Sequence, residues 1–184
     1  MTELHTITRR IEIDAGHRVP DHGSKCFNLH GHRYVIEAEC TGPLATAGEQ
    51  RGMVIDFGFL KKAMMECIHD LCDHRFIFAW WDGQCRRMFF GPKDDATNEF
   101  LLQENVRGSG GGWAFEYAPE PEEKKVLYYV TDFSPTAENL ARHWFKLLQD
   151  PVTHLSHNRA QLTAVRVHET PNCVAEYRPA PPAR

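Results

Sequence analysis

Two stretches of the chain alternate between apolar and polar positions. Between residues 3 and 17, Ile7, Ile11, Ile13, Ala15 and His17 share one parity, while Thr8, Arg10, Glu12 and Asp14 take the other. Residues 30 to 40 repeat the pattern, with His30, His32, Tyr34, Ile36, Ala38 and Cys40 on one side and Arg33, Glu37 and Glu39 on the other. A side-chain period of two predicts half-buried strands. The loop between them carries Pro20, Asp21, Gly23 and Ser24, so an antiparallel pair is expected. Both strands put their histidines on the inward face.

After a Gly- and Pro-containing loop at residues 41–52, a helical period takes over. Asp56 can cap a helix whose apolar positions are Phe57, Leu60, Met64, Cys67 or Ile68, and Leu71, ending near Leu71-Cys72-Asp73-His74. A second helix is predicted from Ser134-Pro135, as N-cap and first helical residue, with Leu140, Ala141, Trp144, Leu147 and Leu148 buried and Pro151 beyond its end. Leu162 to Thr170 and Cys173 to Tyr177 read as a hairpin around Thr170-Pro171-Asn172. Strand, strand, helix, a long middle, helix, strand, strand predicts an α+β domain: an antiparallel sheet with helices on one face.

The middle, about residues 75–130, reads as an insertion packed on the core or on another subunit. Asp82-Gly83 suggests a local hairpin between Arg75 to Trp81 and Arg86 to Phe90, and Asn98 to Val106 a short helix. Gly108 to Gly112 reads as a flexible break, and Ala118 to Lys125 as an exposed loop. Trp113, Phe115, Tyr117, Tyr128 and Tyr129 are too many aromatics for disorder. Residues 1–178 are expected to form one domain, with 179–184 a disordered tail.

Composition excludes several function classes. A net charge of −4 without a basic stripe argues against nucleic-acid binding. The longest apolar run, Phe76 to Trp81, is six residues, against roughly 20 for a membrane span. The start, Met-Thr-Glu-Leu-His, shows no secretory pattern, so a cytoplasmic location is expected. The six cysteines contain no C-x-x-C pair and are expected to be free thiols.

The chemistry concentrates in Cys26-Phe27-Asn28-Leu29-His30-Gly31-His32. His30 and His32, two apart on a strand, project the same way, and His17 joins them from the neighbouring strand. Three neutral imidazoles suit a catalytic zinc ion, which takes three protein ligands and keeps one position open. Cys26 is then either a reactive thiol or a fourth ligand closing a structural site. Asp73-His74 is a candidate carboxylate–imidazole pair for proton transfer. Glu169 follows the parity of apolar Val165 and Val167, so its carboxylate would be part-buried and want donors. A ring bearing an amino group beside an N–H offers two parallel ones.

Six segments now occur in order: Ala15-Gly16-His17-Arg18, Cys26 to His32, Val54-Ile55-Asp56-Phe57, Cys72-Asp73-His74, Pro135-Thr136-Ala137-Glu138-Asn139-Leu140 and Val167-His168-Glu169-Thr170-Pro171. Together they resemble the 6-pyruvoyl-tetrahydropterin and 6-carboxytetrahydropterin synthase superfamily over about residues 5–74 and 130–178. The resemblance implies the tunnelling fold, a four-stranded antiparallel sheet with two helices on one face in the order ββααββ, here with roughly 50 residues inserted before the second helix. It implies zinc (Zn2+) on His17, His30 and His32, Cys26 as proton acceptor, and Asp73 and His74 completing the proton-transfer set. Glu169 would anchor a pterin ring or act with His74, and Thr136 would also touch the ring. Lys25, Arg18 and Arg33 are the cations nearest the motif for a triphosphate. A homo-oligomer, often a hexamer, with sites between subunits is implied.

Three residues separate Cys26 from His30, as in the bacterial carboxy branch, whereas animal pyruvoyl synthases have five. A folate-pathway branch carries glutamate in place of the cysteine. The implied reaction is the queuosine-pathway conversion of 7,8-dihydroneopterin triphosphate to 6-carboxy-5,6,7,8-tetrahydropterin, acetaldehyde and triphosphate. The alternatives are pyruvoyl formation without C–C cleavage, and a non-catalytic zinc or pterin module.

Overall fold

The computed structural model describes residues 3–91, 95–118, 120 and 122–180. The two alternating stretches form the longest strands, β1 (His5–His17) and β2 (His30–Gly42). They pair antiparallel along their full length, with His17 opposite His30, Gly16 opposite Gly31 and Ala15 opposite His32. The inward parity is buried as expected: Ile11, Ile13, Ala15, Tyr34, Ile36, Ala38 and Cys40 all lie in the core. Each large apolar side chain so buried contributes about 1.5–3 kcal/mol.

The first helix is α1 (Phe57–Met64), continued by a π-helical turn (Met65–His69) and by α2 (Asp70–Cys72). Asp56 caps it, accepting from the N–H groups of Gly58 and Phe59. The π turn rotates the buried stripe, so Ile68 and Cys72 are fully buried where a regular period points to Leu71. Phe57, expected inside, is half exposed. The long helix α5 (Ala137–Leu155) is capped by Thr136 rather than Ser134, and Pro151 lies inside it rather than beyond it.

The expected four-stranded antiparallel sheet is a correction. Among the described residues a single mixed sheet of seven strands runs in the order β4 (Gly112–Tyr117), β5 (Val126–Thr131), β3 (Phe76–Ala79), β1, β2, β6 (Gln161–Thr170), β7 (Cys173–Tyr177). Its antiparallel part is β1-β2-β6-β7. The middle of the chain supplies the rest. β3 lies parallel to the end of β1, β5 parallel to β3, and β4 antiparallel to β5.

The helices α3 (Gly83–Phe90) and α4 (Asp95–Gly108) complete this segment. No hairpin forms at Asp82-Gly83: Asp82 instead caps α3 through Gln84 and Cys85 N–H. The helix expected at Asn98 to Val106 is present within α4. Residues 179 and 180 carry no regular structure, and the rest of the expected tail, like Pro119 and Pro121 of the expected loop, lies outside the described residues.

Helices cover both faces of the sheet, another departure from the expected single face. Ile77 and Tyr129 face the core shared with α1 and α5, whereas their neighbours Phe78, Tyr128 and Val130 belong to a second core with Cys85, Leu102 and Val106. Adjacent strand residues point to opposite faces. The α3–α4 pair therefore packs opposite α1 and α5.

Candidate functional site

The β1–β2 register brings the three histidines together. Their ligand nitrogens lie within 4.8 Å of one another, and the ring centroids of His17 stand 4.4 Å from His30 and 5.2 Å from His32. Side chains at the two glycines beside the histidines would crowd their neighbours. A Cβ on Gly31 would sit 3.0 Å from the Ala15 carbonyl oxygen, and one on Gly16 would overlap the Phe76 ring.

Two backbone carbonyls orient the rings. His17 Nδ1 is 2.8 Å from the Pro135 carbonyl oxygen, and His30 Nδ1 is 2.8 Å from that of Asn28. Each Nδ1–H donates, which leaves Nε2 as a bare lone pair. The Nε2 atoms of His17 and His32 are buried and have no hydrogen-bond partner among the described residues. Burial lowers the His17 pKa to about 4, opposed by the Pro135 carbonyl and reinforced by the two neighbouring imidazoles. Burial also lowers that of His32 against the pull of Glu169. Neutral rings with inward lone pairs fit a divalent metal such as zinc.

Cys26 is half-buried in a short 3-10 turn (Lys25–Phe27), its carbonyl accepting from Val19 N–H at 2.8 Å. It lines a cleft of about 330 Å³ with His17, Thr136 and Glu169. Glu169 reaches this cleft because a register shift interrupts the β6–β7 pairing between His168 and Thr170. Such bulges re-aim side chains. Its Oε1 lies 3.5 Å from His17 Nε2. Thr136 lines the same cleft and holds the α5 cap through Asn139 N–H.

Asp73 and His74 form the expected pair, with Asp73 Oδ2 2.8 Å from His74 Nδ1. Asp73 is pinned by Asp14 N–H, and His74 N–H by the Asp14 carbonyl. Partial burial raises the Asp73 pKa, but the Asp14 N–H and the His74 ring outweigh it and hold the carboxyl below its usual range. His74 has a left-handed backbone (φ 55) and is exposed. His74 opens on a different cleft, of about 560 Å³, which is lined by His32 but not by Cys26. Within one chain the expected proton-transfer set is thus divided.

Of the expected cations, Lys25 is exposed beside Cys26. Arg33 is held by Asp14 at 3.0 and 3.1 Å. Arg18 is buried against Asp82 and does not present itself to a triphosphate. Sequence reasoning missed three lining residues of the thiol cleft, His22, Glu138 and Cys173. Glu138 stood inside a quoted motif, but nothing local marked the others. It also missed the orienting carbonyls of Asn28 and Pro135.

The family model described as 6-pyruvoyl tetrahydropterin synthase matches residues 6–180. The 6-carboxy-5,6,7,8-tetrahydropterin synthase of Rickettsia conorii is 34% identical over 169 residues, covering 92% of this chain and 96% of that protein. The middle segment is therefore not peculiar to this chain. Among solved structures, an uncharacterized protein from Wolinella succinogenes superposes with a TM-score of 0.65 at 21% identity, covering 96% of this chain and 99% of that one. Caenorhabditis elegans 6-pyruvoyl tetrahydropterin synthase gives a TM-score of 0.55 at 21% identity, covering 97% and 98%. These two likenesses bear on the fold.

Proposed function

The chain belongs to the 6-pyruvoyl tetrahydropterin synthase family, and from that premise we propose that it is a zinc-dependent carbon–carbon lyase. The proposed reaction converts 7,8-dihydroneopterin triphosphate and one water molecule to 6-carboxy-5,6,7,8-tetrahydropterin, acetaldehyde and triphosphate, a step of queuosine biosynthesis. Residues 1–178 act as one catalytic domain, in a cytoplasmic homo-oligomer. Among the described residues no helix is long and apolar enough to cross a membrane. One observation carries the reading: a cluster of three imidazoles that could hold a metal ion, with its buried member His17 lining the same cleft as the free thiol of Cys26. Relatives named 6-carboxytetrahydropterin synthase over nearly the full chain support the choice of product.

His17, His30 and His32 would hold the zinc, which when bound polarises neighbouring substrate hydroxyls and acidifies adjacent C–H bonds. Cys26, as thiolate, removes a substrate proton. Glu169, re-aimed by its bulge, accepts the two parallel donors of the pterin ring, and Thr136 flanks the ring. Asp73 fixes the His74 tautomer so that Nε2 faces outward to exchange a proton. Because His74 opens on a separate cleft, a second copy of the chain supplies its Asp73–His74 pair to each Cys26. Lys25, at the cleft rim, meets the triphosphate.

Incubating the zinc-loaded protein with 7,8-dihydroneopterin triphosphate is expected to release acetaldehyde and triphosphate in equal amounts. A pyruvoyl product without acetaldehyde would overturn the C–C cleavage. Cys26→Ala is expected to keep its zinc and lose turnover by about 10²–10⁴-fold. Loss of zinc from that variant would instead mark Cys26 as a fourth ligand and the site as structural.

A further inference from the structure

We propose that Asp82, carried by the middle segment, is a positioning residue for Cys26, acting through Arg18 and Phe27. The inference rests on the reading of Cys26 as proton acceptor and goes beyond it. It gives the middle segment a task in the reaction.

The coupling begins with a buried ion pair. Arg18 Nε lies 3.0 Å from Asp82 Oδ2, a charge contact without the alignment of a hydrogen bond, and their side chains are 3% and 2% exposed. Asp82 is fixed from three directions. Its Oδ1 accepts from Gln84 and Cys85 N–H at 3.1 Å each, and its own N–H donates to the Ala79 carbonyl at 2.9 Å. Ala79 ends β3, the strand whose Ile77 pairs with His17. One carboxylate oxygen therefore caps a helix while the other meets the guanidinium. Removing either charge would leave its partner buried and unpaired, which is strongly unfavourable.

The thiol turn depends on that guanidinium. Residues 19 to 29 are all half-buried or exposed, so the segment carrying Cys26 sends no side chain fully into either core. Its Phe27 ring is 40% exposed and lies over Arg18, with Cζ 4.4 Å from the ring centroid. A planar guanidinium stacks on an aromatic face in a way that an ammonium does not reproduce. The next residue, Val19, donates its N–H to the Cys26 carbonyl. Cys26 is thus referenced to Arg18 twice, through the ring that follows it and through its own carbonyl. Arg18 is in turn set by Asp82.

The test uses the zinc-loaded full chain and the variants Asp82→Asn, Arg18→Lys, Phe27→Leu and Phe27→Tyr. Asparagine can still cap α3 through its amide oxygen. Three quantities are read: zinc content, steady-state kcat and KM, and the rate of Cys26 alkylation by iodoacetamide. Half-buried Cys67, on the π-helical turn and outside the thiol cleft, is the internal control. Asp82→Asn, Arg18→Lys and Phe27→Leu are expected to keep their zinc and the parent Cys67 rate. In them Cys26 alkylation should rise at least about fivefold, and kcat fall about tenfold with KM little changed, because small misplacements of a reacting group cost rate more than binding. Phe27→Tyr, which keeps the ring, should behave like the parent. Cys26 rates and kcat within roughly twofold of the parent in Asp82→Asn and Arg18→Lys would overturn the proposal. So would zinc loss with Cys26 and Cys67 rising together, which marks general loosening. A parent that does not turn over the pterin triphosphate sinks the lyase reading alone, since the alkylation rates still report the position of Cys26.

Discussion

The β1–β2 hairpin and the β3–β5 segment belong to one sheet but are built on different rules. The hairpin is half-buried: one face enters the core and the other carries Arg10, Glu12, Asp14 and Arg33. The segment joined to β1 by β3 is buried from both sides, with Ile77, Phe78 and Ala79 all inaccessible and helices on each face. The hairpin places ligands two residues apart on a common face. Among its described residues the segment adds no member to the histidine cluster, and through Asp82 it meets Arg18. The difference teaches that the donor set and its rigidity have separate origins in the chain.

The sharpest way to break this division is to remove chemistry from one region and packing from the other. His30→Ala is expected to abolish zinc binding and to cut turnover by at least about 10³-fold, with the fold retained because His30 is part-exposed. Metal analysis and the acetaldehyde assay check it. Phe78→Ala should act oppositely. Its ring, fully buried against Phe89, Phe90 and Tyr128, contributes to the second core. Its loss should cost about 3–5 kcal/mol in denaturant unfolding. The protein that remains folded is expected to hold one zinc per chain, and zinc loss there would show that the two regions are not separable.

A smaller effect probes the hairpin's own geometry. Gly31→Ala leaves every histidine in place but sets a methyl group 3.0 Å from the Ala15 carbonyl oxygen, so the neighbouring backbone must give by a few tenths of an ångström. That strain falls beside the point where His17 and His30 face each other. Zinc affinity, measured by competition with a chelator, should fall about 10- to 100-fold, as when ligand orientation is disturbed. Unchanged affinity would mean that the register tolerates the methyl group and that glycine here is not required by the site.

The legibility of the two regions follows from the same contrast. Alternation over thirteen residues exposed β1, β2 and the shared face of His17, His30 and His32 in the sequence. The strand Phe76–Ala79 was legible as an extended arm before Asp82-Gly83, but with no polar face to alternate with, its burial on both sides and its parallel place beside β1 were not. Asp82-Gly83 satisfies turn chemistry and cap chemistry alike, and only the helix after it decides. The π turn after Met64 and the bulge at Glu169 left no local signal, yet each redirects side chains. Asp73–His74 was visible as a pair, but its separation from Cys26 depends on how the sheet folds.

The smallest expected effect lies where the two regions meet. His143 on α5 is buried, and its Nε2 shares a hydrogen bond of 2.7 Å with the Tyr129 hydroxyl on β5. Gly112 closes over this pair, since a Cβ there would collide with the hydroxyl. Burial, with the positive charges of Lys146 and Arg142, lowers the His143 pKa to about 4. The folded state therefore resists protonation that an unfolded histidine accepts near pH 6.5. Below that pH the unfolded chain binds more protons, so the stabilising contribution is complete above about pH 7 and declines as pH falls toward 4. Between pH 7.5 and 5 the loss from this group is about 2 kcal/mol. His143→Gln keeps a side chain able to meet the Tyr129 hydroxyl but cannot titrate. Comparing unfolding free energies of the zinc-loaded parent and variant at both pH values isolates the group, because His17, His30 and His32 are common to the two. The parent should lose more stability than the variant on acidification. Equal losses would mean that the joint between α5 and β5 opens before His143 must take a proton.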